Sequence, residues 1–461
     1  MKYRITEGAV MLSSIIKWFL LSTGVGAIVG FSTAAFVTTL NWSEVFGERH
    51  SYYFLLLPFA LVVSAALVKY LAPDAEGHGT EKVIEAVHQH SGKIKAMVVP
   101  VKVLATIITM AAGGSIGKEG PAAQIGAGIS SVIAGLFKFN NTDQKKLIIC
   151  GISAGFAAVF GTPIGGAIFG VEVLIIGGIM YDVLLPSFIA GLTAYEVTSS
   201  LGIHYFHRTI SFAPVISEGM LLKVVAAGIF FGFFSILLVE SLGLFERMAS
   251  KIPLRTPYKG VVGGTALVVM TFLFSGRYLG LGLSTVESAL SGDHITWYAP
   301  LAKAVFTSIT LSFGGSGGIV TPIFFIGSTA GSLFASLFGQ NLAVFSAIGL
   351  VSVLAGTTNT PIASSIIAIE LFGPTIAPYA AAASIISFLM SGHRSVYPSQ
   401  VIAMGKSPSI KVEKGLAIQY ARPEFRPRDK TFTMACVKIL KNNKRYGIQE
   451  RKNRSESPNK N

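Results

Sequence analysis

The segment Gly117-Lys118-Glu119-Gly120-Pro121 places a carboxylate at the predicted start of a helix, within an apolar stretch of the chain. Proline is well tolerated in a first helical turn, because its missing N–H would have had no partner there. The free N–H groups at such a start carry a partial positive charge and attract anions. A charged carboxylate at this place competes with an anion, and burial in a low dielectric favours its protonation. Glu119 is therefore a candidate gate on an anion site.

The same loop occurs a second time, without its carboxylate. GGSIGKEGPAAQIGA at 113–127 corresponds to GGSGGIVTPIFFIGS at 314–328, and Val320 stands at the position of Glu119. Repeated membrane segments with glycine-rich breaks in corresponding places indicate a transport site between two halves. The second helix start can offer the N–H groups of Ile319 and Val320 to an anion.

The correspondence extends on both sides of this loop. Upstream, three polar residues recur 201 positions later, and downstream a Thr-Pro-Ile segment and a glutamate recur 198 positions later. The matched positions are Lys102 and Lys303, Thr106 and Thr307, Thr109 and Thr310, 162–164 and 360–362, and Glu172 and Glu370. A duplicated glutamate is typical of the scaffold, so Glu172 and Glu370 are predicted to accept hydrogen bonds from neighbouring loops.

A third glycine-rich segment, Gly77-His78-Gly79-Thr80-Glu81, precedes another predicted helix. Its chemistry is ambiguous from the residues alone. The His78 side chain or the Gly79 amide can face an anion, and His78 can equally be a loop histidine bonded to nearby backbone.

The composition excludes a soluble protein. Hydrophobic residues make up 51% of the 461 and charged residues 13%, against about 25% charged residues in a soluble domain. The mean hydropathy is +0.61. Several apolar runs are shorter than the roughly 20 residues that span a bilayer, and helices that stop partway require protein or a wet cavity around the break. We predict an all-α polytopic membrane protein with two antiparallel repeats and many short, broken helices.

The chain divides into a cytoplasmic leader (1–12), a transmembrane domain (13–410) and a basic tail (411–461). The first repeat covers about 13–200 and the second about 220–410. From Arg422 onward twelve Lys and Arg accompany four Asp and Glu, which predicts a disordered tail near anionic lipid, without a paired regulatory module. The positive-inside tendency places both termini in the cytoplasm and the protein in the plasma (inner) membrane. We expect no cofactor, no metal site and no nucleic-acid partner.

Two other classes of protein were weighed. Gly151-Ile152-Ser153-Ala154-Gly155 matches the G-x-S-x-G nucleophile pattern, but that pattern requires a strand–turn–helix elbow and this copy lies in one apolar run. A secondary transporter for a larger solute would need varied polar side chains at the breaks. The breaks here offer mainly Gly, Ser, Thr and backbone, which suits a small bare anion. The sequence therefore predicts a transport protein and not an enzyme.

The three loops resemble those of the CLC family of chloride channels and chloride/proton exchangers, in order and spacing, over about residues 15–405. In that family the loops surround an anion together with a tyrosine from a late helix. The resemblance implies a homodimer with one pathway per subunit, chloride or a similar small anion as substrate, and Glu119 as gate. It also implies that Tyr397 contacts the anion. His78 stands in place of the family's usual serine, and Val320 in place of its phenylalanine.

Position 173 bears on the mechanism. Family exchangers carry an inner glutamate that brings protons from the cytoplasm, and the matching position here is Val173, directly after Glu172. Valine cannot carry a proton. The resemblance therefore favours a voltage- or pH-gated chloride channel, and a chloride/proton exchanger is the alternative, because some members exchange protons without a carboxylate at this position.

Overall fold

The computed structural model describes residues 2–205, 209–210 and 218–425, and this part of the chain is mostly helical. Its sixteen α-helices are α1 Lys2–Glu48, α2 Leu57–Leu71, α3 Thr80–Gln89, α4 Val98–Ala111, α5 Glu119–Leu136, α6 Asn141–Phe160, α7 Pro163–Glu172, α8 Leu184–Ser200, α9 Glu218–Lys251, α10 Thr256–Leu273, α11 Leu283–Ser291, α12 Ala299–Ser312, α13 Val320–Phe338, α14 Leu342–Thr358, α15 Pro361–Phe372 and α16 Ala377–Met390. Short 3₁₀ turns cover Tyr53–Leu56, Pro73–Ala75, Tyr181–Val183, Gly276–Tyr278 and Pro374–Ile376. The predicted all-α fold is confirmed.

The helices differ widely in length, as the broken apolar runs predict. Among the described helical segments, four are long and apolar enough to cross a membrane: Thr6–Gly47, Tyr53–Leu71, Gly219–Lys251 and Val320–Phe338. The apolar helices α4, α14 and α15 are shorter than a membrane span. Their ends therefore lie within the protein, where other parts of the chain can satisfy the backbone.

The two halves of the chain repeat one another in three dimensions. Helices α1–α8 and α9–α16 follow the same order, and α4 and α12 begin 201 residues apart. The duplicated lysines also have the same role. Lys102 Nζ donates to the carbonyl of Gly77 at 2.7 Å, and Lys303 Nζ donates to the carbonyl of Gly280 at 2.8 Å. Each fully buried lysine thus holds the loop that precedes a short helix, α3 or α11.

The duplicated glutamates join the halves reciprocally. Glu172 at the end of α7 accepts a hydrogen bond from the N–H of Ala363 at the start of α15, and Glu370 on α15 accepts one from Gly165 at the start of α7, both at 2.7 Å. Each also accepts the N–H of the preceding residue. A carboxylate at a helix start satisfies N–H groups that have no partner within the helix. The predicted structural role of both glutamates matches these contacts.

Replacing Glu172 by Ala is expected to weaken the contact between the repeats. The buried N–H of Ala363 loses its acceptor, and an unpaired group of this kind costs about 1–3 kcal/mol. The apparent Tm in detergent should fall. Glu287→Ala, which removes an exposed carboxylate on α11, is the control and should leave Tm unchanged. Equal Tm values for the two variants would contradict the assigned role.

The ends of the described chain differ from the prediction. Helix α1 begins at Lys2 and continues through the predicted leader, because no helix-breaking proline separates 2–12 from the apolar run. The predicted tail is ordered as far as 425. Strand β2 (Val401–Ile402) pairs in parallel with β1 (Ile175–Ile176), and β3 (Ile410–Lys411) pairs with β4 (Glu424–Phe425). Residues 426–461, most of the predicted tail, lie outside the described residues.

Candidate anion site

The starts of three helices meet at one place. Gly79 immediately precedes α3, Gly120 lies in the first turn of α5, and Gly318 precedes α13. A Cβ added at Gly120 would lie 2.0 Å from the carbonyl oxygen of His78 and 3.0 Å from the Cα of Gly318. One added at Gly79, where φ is +81°, would lie 2.5 Å from the carbonyl oxygen of Gly120. Glycine is therefore required for the three backbones to approach this closely.

The two copies of the duplicated loop bind each other directly. The N–H of Gly117 donates to the carbonyl of Gly318 at 2.7 Å, and the N–H of Gly318 donates to the carbonyl of Gly117 at 2.7 Å. This antiparallel pair fixes the start of α5 against the start of α13. The relation expected between the repeats is thus visible at the centre of the molecule.

The carboxylate of Glu119 lies at the start of α13. Its Oε2 accepts a hydrogen bond from the N–H of Thr321 at 3.1 Å, and the Thr321 hydroxyl lies 2.6 Å from Oε1 and 2.7 Å from Oε2. Only 3% of the Glu119 surface is exposed. The carboxylate therefore occupies the position in which a helix start binds an anion.

Thr321 is a site residue that sequence reasoning missed. The sequence pointed to the N–H groups of Ile319 and Val320, and both residues are fully buried at this helix start. The hydrogen bonds to Glu119 come instead from Thr321, the next residue. A threonine one residue into a helix that faces a carboxylate was the available signal, because its hydroxyl and its N–H point to the same region.

Tyr397 is fully buried in the segment that follows α16. It interacts electrostatically with the carboxylates of Glu119 and Glu81, and its hydroxyl lies close to that of Thr80. Neither hydroxyl makes a hydrogen bond of normal geometry within the described residues. The tyrosine singled out by the resemblance thus lies beside the gate carboxylate, with an O–H group available to a ligand.

His78 is largely buried, and its Nδ1 atom has no hydrogen-bond partner within the described part of the chain. It lines a cavity of about 770 Å³. We name this the charged cavity, because its walls carry side chains of both signs: Lys69, Glu76, Glu81, Lys82, Glu240, Glu246, Arg247 and Arg394. His78 and Glu81 connect this cavity to the loop that contacts α5.

Val173 lies at the end of α7, where its side chain is fully buried. Its carbonyl accepts a hydrogen bond at 2.7 Å from Gln400, whose side chain also donates to the carbonyl of Thr358 at 2.7 Å. Val173 is not among the residues that line the charged cavity. The position is therefore a packed aliphatic contact in this chain.

The serine hydrolase alternative is contradicted by the geometry. Ser153 lies in the middle of the continuous helix α6, and its hydroxyl donates to the carbonyl of Ala167 at 3.0 Å. A nucleophile elbow needs a sharp turn between a strand and a helix. The small residues around Ser153 serve helix packing, since a Cβ at Gly155 would lie 2.4 Å from the carbonyl oxygen of Ala122.

Comparison with known proteins decides the family. A family model described as "Voltage gated chloride channel" matches residues 59–392. The chain belongs to the CLC family. A CLC relative from Pseudomonas syringae pv. tomato, named "Chloride/fluoride channel protein", is 35% identical and matches over 88% of this chain and 91% of its own. The family assignment made from the three loops is therefore confirmed, and so is transport of an anion.

Two solved CLC structures are similar along most of the chain. "Crystal structure of a CLC-type fluoride/proton antiporter" is 30% identical, with a TM-score of 0.81, over 84% of this chain and 98% of the other. "X-ray crystal structure of a slow cyanobacterial Cl-/H+ antiporter" has a TM-score of 0.70 at 21% identity, over 81% and 94%. The second likeness shows the fold alone.

Proposed function

We propose that this CLC protein exchanges a small halide, fluoride in preference to chloride, for protons, with Glu119 as the gate. The position of the Glu119 carboxylate at the start of α13 carries this proposal. While charged, the carboxylate is held by Thr321 and competes with the halide. Once protonated, it loses most of its attraction to the helix start and can yield the place to the halide. One group that alternates between binding the site and carrying a proton couples the two ions.

Exchange is better supported than the passive channel that Val173 suggested. Both solved structures described above are titled antiporters, and the fluoride/proton antiporter is the one with 30% identity. Val173 excludes a proton carrier at one position only. A gated halide channel is the second candidate, favoured by the printed name of the Pseudomonas syringae relative.

Fluoride is proposed as the substrate for two reasons. Fluoride appears in the names of both proteins that are at least 30% identical to this chain. It is also the smallest and most strongly hydrated halide, so a site that takes it out of water must supply hydrogen-bond donors. The hydroxyls of Tyr397 and Thr80 and Nδ1 of His78 are buried polar groups without a partner in the described chain.

Liposomes that contain the purified protein test the proposal. With a fluoride or chloride gradient directed outward, external halide and external pH are recorded together, and protein-free liposomes correct for leak of hydrogen fluoride. We expect fluoride efflux at least tenfold faster than chloride efflux, with protons taken up as fluoride leaves. Halide efflux without proton uptake would favour the channel. Faster chloride than fluoride would overturn the choice of substrate but not the exchange.

The assembly and orientation given in the sequence analysis are part of the proposal. The CLC resemblance supports a homodimer with one pathway per subunit, in contact with membrane lipid, with both termini on the cytoplasmic side of the inner membrane. Light scattering in detergent should give a protein mass near twice 48.7 kDa. A mass near one chain would contradict the dimer.

A further inference from the structure

Glu81, in the first turn of α3, is a carboxylate for which the site has so far no use. We propose that Glu81 carries protons between the charged cavity and Glu119, and so supplies the group that position 173 lacks. This inference rests on the proposed exchange of a halide for protons.

The two oxygens of Glu81 have different surroundings. Oε1 accepts hydrogen bonds from the N–H of Ser399, at 3.0 Å, and from the Ser399 hydroxyl. Oε2 is buried and accepts no hydrogen bond within the described residues. The first oxygen fixes the carboxylate in place, and the second is the position at which a proton can bind.

Glu81 is also accessible to water on one side. It lines the charged cavity together with His78 and Lys82. The charges nearest to Glu81 on its own helix are Lys82 and Glu85, which pair with each other at 2.9 Å, so neither sign dominates. Protons can therefore reach Glu81 from the cavity without crossing the packed side chain of Val173.

Towards the gate, Tyr397 connects the two carboxylates. It interacts electrostatically with Glu81 and with Glu119, and its hydroxyl lies close to that of Thr80. In the proposed step, Oε2 of protonated Glu81 loses a proton and the Glu119 carboxylate gains one, while Glu81 is recharged from cavity water. The O–H groups of Tyr397 and Thr80 can relay the proton by giving one and accepting one. No other bond changes.

Glu81→Gln separates proton transfer from structure. The glutamine oxygen can still accept both hydrogen bonds from Ser399, but the amide cannot carry a proton. We expect halide-driven proton uptake into liposomes to fall at least tenfold relative to the unmodified protein. Glu85→Gln, on the same helix and outside the proposed relay, should keep the normal ratio of protons to halide.

A second pair of variants shows whether the anion pathway survives the change. In a Glu119→Ala background, where passive halide flux is expected, adding Glu81→Gln should leave that flux within about twofold. If the added change stops the passive flux, Glu81 belongs to the anion pathway and the inference is overturned. Normal proton uptake in the single variant also overturns it, with the exchange proposal intact. If the unmodified protein itself moves no protons, the exchange proposal and this inference fail together.

Discussion

Glu119→Ala is expected to convert proton-coupled transport into passive halide flux. The variant has no carboxylate to occupy the start of α13, so the halide meets no competitor there and no proton is exchanged for it. Halide-driven proton uptake in liposomes should fall at least tenfold, while halide efflux continues and becomes independent of pH. A halide electrode and a pH electrode in the same chamber measure both quantities.

Glu119→Gln serves as the matched variant, because its shape is that of the protonated side chain. It should lose proton uptake like the alanine variant, although its amide oxygen can still accept a hydrogen bond from the Thr321 hydroxyl. Its halide flux should therefore be slower than that of Glu119→Ala but equally independent of pH. Variants that keep the pH dependence of the unmodified protein would remove Glu119 from the role of gate.

Gly120→Ala is expected to abolish transport by separating the three helix starts. The added Cβ would lie 2.0 Å from the carbonyl oxygen of His78, so the loop before α3 must move away from α5. Overpacking of this kind typically costs about 1–3 kcal/mol, and more where backbone must shift. Halide flux should fall below about a tenth of normal, and the apparent Tm should also decrease.

The same helix provides the control. Gly135, near the end of α5, has no atom within 4 Å of an added Cβ. Gly135→Ala should retain full flux and gain up to about 1 kcal/mol from better helix propensity. If Gly120→Ala transports halide as well as Gly135→Ala does, the close approach of the loops is not required for the site.

The duplication made much of the site predictable from the sequence. A feature present in both copies has to serve the scaffold, and the structure gives Lys102 and Lys303 the same contact in each half. Glu119, the feature without a copy, lies where the two halves meet. The pairing of Gly117 with Gly318 could be anticipated because corresponding loops of an antiparallel repeat face one another.

Contacts between distant residues without a repeat partner could not be predicted. Glu81 was noted only as a departure from a loop pattern, and its partner Ser399 is 318 residues away in the sequence. The inference of a passive channel from Val173 failed for the same reason. One position without a carboxylate does not show which other carboxylates the fold brings towards the gate.

The most direct test of the account is whether a halide gradient can move protons uphill. Liposomes with equal internal and external pH, a tenfold outward fluoride gradient and the membrane potential clamped at zero with potassium and valinomycin are followed by a pH electrode. The account predicts that protons enter the liposomes against the pH difference that develops, until the proton gradient balances the fluoride gradient. Fluoride efflux to equilibrium with no proton entry beyond that of protein-free liposomes would contradict it.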